Sequence, residues 1–214
     1  MRFAFAFLML IILQSCSLIH SDIAASPNQP NNSAKTNVKS ATNPDIAEPK
    51  FREGDNVSSF LKATKVRDRT LKVRYLHEFI DKRNKTIFIA VKPDCVFCET
   101  LLATMQNYST KTKFKNKIVF FTDAKHASID AFLKKSNEYS QIPATWLYDD
   151  QDKFTETFIL SAFPRFLIID PKHKLVKDQR GLVPPANRES LKGLEIAQIL
   201  EKISEATVEW LKVQ

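Results

Sequence analysis

The sequence predicts an α/β sandwich with a central mixed sheet, built as one domain over residues 51–214. Short apolar runs rich in β-branched and aromatic residues recur at 85–92, 117–123 and 165–170. Such runs are the pattern of strands covered on both faces. The segments between them place apolar residues at helical spacing. The third observation is an exclusion. The only glycines are Gly54, Gly181 and Gly193, none near another, which leaves no place for a P-loop or a dinucleotide-binding fingerprint.

The chain has 214 residues, 43% hydrophobic and 26% charged, which excludes both a wholly disordered chain and a polytopic membrane protein. Residues 1–15, MRFAFAFLMLIILQS, carry Arg2 and then an apolar run from Phe3 to Leu13. That run is short for a bilayer span and fits the core of a signal peptide. It ends in Leu13-Gln14-Ser15-Cys16, which resembles a bacterial lipobox and makes Cys16 the lipidation candidate. An ordinary signal peptide with a cysteine near its cleavage site is the alternative. In lipoproteins, a residue other than Asp after the cysteine, here Ser17, favours the outer membrane over the inner. Residues 16–50 then turn to Asn, Ser, Ala, Thr and Pro without an aromatic residue, the composition of a disordered tether.

Within the folded domain the elements follow in order. Segment 73–83 places Val73, Leu76, Phe79 and Ile80 at helical spacing and predicts a helix. A strand over 85–92 leads into a helix over 98–111, with Leu101, Leu102 and Met105 on one side. A strand at 117–123 precedes a helix over 128–140 that opens on Ser128 as N-cap. The strand 165–170, a turn at 171–174 and a strand at 174–178 form a hairpin, and a long helix from about Ser190 to Val213 closes the chain.

Two of the three cysteines, Cys95 and Cys98, lie at i and i+3 where the first strand meets its helix. Unpaired backbone N–H groups and the helix dipole favour a thiolate at the first, and the second is close enough to resolve a mixed disulfide. Other readings remain open at this point. The pair could be a structural disulfide, though so small a loop stabilises little. It could also carry copper, with His126 or Met105 completing the ligands, as a metallochaperone would. A zinc site lacks its further ligands, because His20, His77, His126 and His173 are dispersed. The metal-free reading assigns no metal and no cofactor.

The run NKTIFIAVKPDCVFCETLL resembles the start of a thioredoxin-like domain, and Ser161-Ala162-Phe163-Pro164-Arg165-Phe166-Leu167-Ile168-Ile169-Asp170 resembles that family's cis-proline loop. The resemblance spans roughly residues 70–212. It implies a three-layer sandwich, with Cys95 as exposed nucleophile, Cys98 as resolving thiol and Pro164 as the cis-proline. It also implies a substrate chain pairing with the backbone of Phe163 beside Val96 and Phe97. The implied activity is a membrane-tethered thiol–disulfide oxidoreductase acting on cysteines of exported proteins. A non-catalytic envelope interaction protein on the same fold is a further alternative. The setting is the cell envelope, lipid-anchored and facing the periplasm, with an envelope redox partner and a monomeric state.

The chain departs from the family at three places. Asp94 stands where the family usually has Trp, and Ile89 where thioredoxins bury an acid. The 69-residue separation of Cys95 and Pro164 leaves an insertion over 139–160, as an added helix or strand, whose Trp146 and Tyr148 either cap the site or pack. Val96 and Phe97 offer no charge or donor, and Asp94 beside Cys95 should raise its pKa, with Lys92 partly cancelling that effect. That combination points to a reductase or isomerase-like enzyme rather than a strong oxidant. The formal net charge is +8, and residues 51–92 hold 11 basic and five acidic side chains. A solvated face accounts for this excess, with attraction to anionic lipid headgroups as the sharper reading. Nucleic acid is not an expected partner, because the basic face lacks interleaved aromatics.

Overall fold

The computed structural model describes residues 49–158 and 160–214. The signal segment, Cys16 and the tether up to residue 48 lie outside the described residues. Lys50, assigned above to the tether, already lies on the domain: its N–H donates to the Thr157 carbonyl at 3.0 Å.

A short helix, α1 (Ser58–Ala63), precedes an antiparallel hairpin of β1 (Lys65–Asp68) and β2 (Val73–Tyr75). The helix expected over 73–83 is therefore not formed. Val73 and Tyr75 are exposed and alternate with Arg74, so the chain is extended there. Leu76, Phe79 and Ile80 are buried from a single 3-10 turn, Leu76–Phe79. A turn of that kind produces the same i, i+3, i+4 spacing as a helix. The Asp81 carboxylate then accepts from the N–H groups of Arg83 and Asn84, at 2.7 and 2.8 Å, and ends the segment.

The remaining elements are β3 (Thr86–Ala90), α2 (Val96–Ser109), β4 (Lys117–Asp123), α3 (Ile129–Glu138), β5 (Thr145–Asp149), α4 (Lys153–Phe158), β6 (Arg165–Ile169), β7 (Leu175–Arg180) and α5 (Ile196–Val213). The Ser128 hydroxyl caps α3 by accepting from Ala131 N–H at 3.2 Å. The last helix begins later than the expected Ser190. A 3-10 turn at Arg188–Leu191 is cut off by Gly193, whose φ of 73° lies in the left-handed region. Regular helix resumes after Glu195, whose N–H is capped by the Gln198 side chain.

The strands form one sheet in the order β2-β1-β5-β4-β3-β6-β7. β3, β4 and β5 run parallel, while β1, β6 and β7 supply antiparallel neighbours. The sheet is mixed, as expected. The insertion turns out to hold both a strand and a helix, and β5 sits inside the sheet, between β4 and β1. Alternating residues of the central strands feed two cores. Ile87, Ile89, Phe120, Trp146 and Phe166 face α2, α3 and α5, while Phe88, Val119, Phe121, Leu147 and Leu167 face α1 and α4. The second core is phenylalanine-rich, with the Phe154 ring 4.2 Å from Phe121 and 4.9 Å from Phe158. Helices on both faces complete the three layers.

Among the charged side chains of the described residues that lie wholly inside, one is a cation. Arg165, first residue of β6, is fully buried. Its Nε and Nη2 donate to the two oxygens of Asp178 at 2.7 and 2.5 Å, and its Nη1 donates to the Phe158 carbonyl. A buried guanidinium is tolerable only when bidentate partners of this kind replace its water. Asp178→Ala should therefore destabilise the domain by about 3–5 kcal/mol in chemical denaturation. Arg165→Met, which removes the charge itself, should cost less than Asp178→Ala.

Candidate active site

β3 is buried along its whole length and delivers the chain to a bend at Pro93-Asp94. Asp94 takes a φ of 60°, a left-handed conformation that Asp tolerates better than bulkier residues. The bend places Cys95 as the N-cap of α2. Its Sγ accepts from the Cys98 N–H at 3.2 Å, and its carbonyl accepts from Glu99 N–H.

Both cysteines are thiols, and their environments push them apart. The Cys98 thiol, the backbone N–H groups of Cys98 and Phe97, and the cation of Lys92 together pull the Cys95 thiol down to about 7, against an opposing effect of burial. The Cys98 thiol is pushed far up, first because it serves as the donor to Cys95 and then because it is buried. The expectation that Asp94 leaves the Cys95 thiolate poorly stabilised is thus overturned. Asp94 is exposed, where solvent screens its charge, and the hydrogen bonds at the helix start outweigh it.

The peptide bond between Phe163 and Pro164 is cis, as the resemblance implied. The Phe163 carbonyl faces Cys95 Sγ at 3.8 Å. Cys95 is not the exposed nucleophile expected. It is only 7% accessible, because its N-cap conformation turns the sulfur toward the Phe163 carbonyl and the Cys98 N–H. The exposed apolar groups here are Val96 and Phe97, at 62% and 51%. These residues line, with Lys92, Asp94, Ser161 and Phe163, a shallow cleft of about 340 Å³ that opens onto Cys95. Cys95, Cys98, Phe163, Pro164, Val96 and Phe97 are therefore brought together in one place.

Other residues weighed from the sequence lie elsewhere. Ile89 is fully buried in the core that holds both cysteines, so no carboxylate stands at that position. Trp146 and Tyr148 pack in that core and do not cap the cleft: the Trp146 ring lies 4.5 Å from Phe120, and the Tyr148 hydroxyl donates to the Ala127 carbonyl. Met105 is buried on the inner side of α2. Among the described residues, no group of three or more His, Cys, Asp or Glu side chains is arranged to hold a metal ion. Sequence reasoning weighed His126 only as a copper ligand and missed its partner. Asp123, at the end of β4, is fully buried, and its carboxylate lies 2.6 Å from His126 Nδ1. An Asp closing an apolar strand, with His three residues later, is the signal that marked it.

No protein-family model matches the chain, and no curated protein sequence does. Its structure is similar to an uncharacterised conserved protein from Geobacillus kaustophilus, with a TM-score of 0.51, 17% identity, 77% of this chain covered and 84% of that one. It is also similar to a cysteine-to-serine mutant of PrxQ from Xylella fastidiosa, with a TM-score of 0.50, 10% identity and coverage of 66% and 92%. A further neighbour is the exposed lipoprotein thioredoxin from Streptococcus pneumoniae, with a TM-score of 0.48, 18% identity and coverage of 70% and 98%. The fold is thioredoxin-like.

With its thiol at about 7, Cys95 should be about half thiolate at neutral pH. The ultraviolet absorbance of the thiolate should rise with a midpoint near 7, and one equivalent of alkylating agent should go to Cys95 alone. Cys98→Ala removes the largest stabilising contact, so it should move that midpoint upward.

Proposed function

We propose that this chain is a thiol–disulfide oxidoreductase that works through Cys95 and Cys98 on cysteines of exported proteins. One observation carries the reading: a helix-capping cysteine with its thiol lowered to about 7 faces the carbonyl of the residue before a cis-proline. An extended substrate chain can lie against the Phe163 backbone by strand addition, with its apolar side chains on Val96 and Phe97.

In the reducing direction, the Cys95 thiolate attacks one sulfur of a substrate disulfide. The substrate S–S bond breaks, a Cys95 mixed disulfide forms and the first substrate sulfur leaves as a thiolate. Cys98 then attacks Cys95 Sγ, its proton passing to a released substrate thiolate. The substrate departs two electrons richer, one sulfur protonated by Cys98 and the other a thiolate that takes its proton from solvent, and the protein holds a Cys95–Cys98 disulfide. A dithiol donor in the envelope regenerates the pair. The high pKa of Cys98 keeps it protonated until Cys95 is engaged, so only one sulfur competes for substrate at the start.

The direction follows from how far the nucleophile is stabilised. Thiols near 7 belong to reducing CxxC pairs, whereas strongly oxidising ones sit near ~3.5. A reductase or isomerase-like role is therefore the one adopted, although the thiolate is better stabilised than the residues around it suggested. Cys16 would serve as a lipid anchor that holds the enzyme at the envelope, facing the periplasm. Among the described residues, no helix is long and apolar enough to cross a membrane.

Equilibration with a glutathione buffer should give a reduction potential below about −200 mV, and a value near about −120 mV would mark an oxidant instead. In envelope extracts, Cys98→Ser should accumulate mixed disulfides with exported proteins and Cys95→Ser should trap none. Equal trapping by both variants would defeat the assigned roles.

A further inference from the structure

A second polar cluster is buried beside the cleft, and the exchange steps above make no use of it. The Asp123 carboxylate accepts three hydrogen bonds: from His126 N–H at 3.0 Å, from His126 Nδ1 at 2.6 Å, and from the Thr155 hydroxyl. Burial pushes this carboxyl upward, against the hydrogen bonds from His126. A buried carboxylate is a costly group to keep, and here its donors are a backbone amide, a hydroxyl and one imidazole. An ionised carboxylate can only accept, so against charged Asp123 the donor is Nδ1, and the 2.6 Å contact restrains rotation of the ring.

The fixed ring meets the cleft at Phe163. His126 packs edge-on against the Phe163 ring, with centroids 4.7 Å apart and planes at 62°. Lys92 Nζ lies 5.8 Å from the centroid of the same ring, within range of a cation–π contact. Phe163 is thus held by an imidazole edge and an ammonium group. Its carbonyl is the group that faces Cys95 Sγ, and the cis-proline follows it directly. A continuous set of contacts runs from Asp123 through His126 and Phe163 to the nucleophile.

We propose that His126, locked by Asp123, is a positioning residue for the exchange site: it braces the Phe163 ring and so sets the Phe163 carbonyl against Cys95 and against an incoming peptide chain. This rests on the oxidoreductase reading given above. The consequence is selective. A peptide disulfide needs the Phe163 backbone as a pairing edge, whereas a small aromatic disulfide needs only the Cys95 sulfur. His126 therefore matters for the first class of substrate and little for the second.

The test compares a disulfide-bonded extended peptide with a small symmetrical aromatic disulfide, using the full domain and its variants. His126→Ala should raise KM for the peptide about tenfold with little change in kcat, and should alter kcat/KM for the small disulfide less than about twofold. His126→Asn keeps a donor for Asp123 but lacks the ring. It should fold like the parent in a thermal melt and show the same peptide-selective loss. In a Phe163→Leu background, which removes the braced ring, adding His126→Ala should change the peptide KM less than about twofold. Parallel losses on both substrates, or an unchanged peptide KM in His126→Asn, would overturn the inference while leaving the activity itself established. A parent protein that reduces neither disulfide would instead remove the oxidoreductase reading and the bracing role with it.

Discussion

The antiparallel register between β3 and β6 is the constraint on which the site depends. Ala90 pairs with Arg165 at one end of this ladder and Thr86 with Ile169 at the other. Because the pairing closes at Ala90 and Arg165, the chain leaving β3 and the chain entering β6 emerge side by side. Cys95 comes from the first and Phe163 from the second. A slip of one residue would turn every side chain of β6 to the opposite face and bury the wrong set. Alternate residues of β6 are committed to different cores, Phe166 and Ile168 to one and Leu167 and Ile169 to the other. Packing on both faces therefore sets the register, and the register sets the approach of the Phe163 carbonyl to the sulfur.

The interior is not uniformly apolar, and its charges gather at this same edge. Arg165 lies opposite Ala90, and Asp123 lies opposite Asp149 where β4 and β5 end. Asp149 is fully buried and is pushed up to about 6 by burial, against hydrogen bonds from Phe154 and Gln151 N–H. Apolar groups of similar size would in general be cheaper to bury than these. What the buried charges hold is connectivity. Asp149 fixes the turn into α4, Asp123 the loop carrying His126, and Arg165 the junction between the end of α4 and β7. The apolar half of the sheet gives cohesion, and the polar edge holds the loops that meet the cleft.

The strands buried on both faces were legible because continuous apolar runs have few other uses in a chain of this composition. The cysteine pair and Pro164 were legible because each sits at the mouth of such a run. Less legible were the elements with mixed surroundings. β1 buries only Val66, so its sequence, KVRD, carries almost no pattern. β2 and the 3-10 turn together imitate a helix, because Val73 falls at the right spacing although it is exposed. The central place of β5 depends on pairing with both β4 and β1, which no local pattern records. The state of Cys95 failed for a related reason. Counting the neighbouring charges along the chain gave Asp94 weight, whereas the deciding contacts come from Cys98 across a turn of helix. Nothing local marked Arg165 as a buried cation, since its partner Asp178 lies on the next strand.

The position of β5 also bears on how the domain assembles. The hairpin of β1 and β2 joins the sheet only through β5, by the pairs Arg67 with Tyr148 and Asp68 with Leu147. Closing those pairs spans about 80 residues of chain, a loss of entropy that only an already ordered β5 can repay. The β3-α2-β4-α3-β5 run needs no such closure, because each strand is parallel to the one before it and linked by its own helix. On this argument the hairpin would add after that run has formed, onto a sheet edge that stays open until it arrives. During that interval β5, buried in the finished protein, presents an unpaired edge with Trp146, Leu147 and Tyr148 on it, the stretch of the chain most exposed to pairing with another copy.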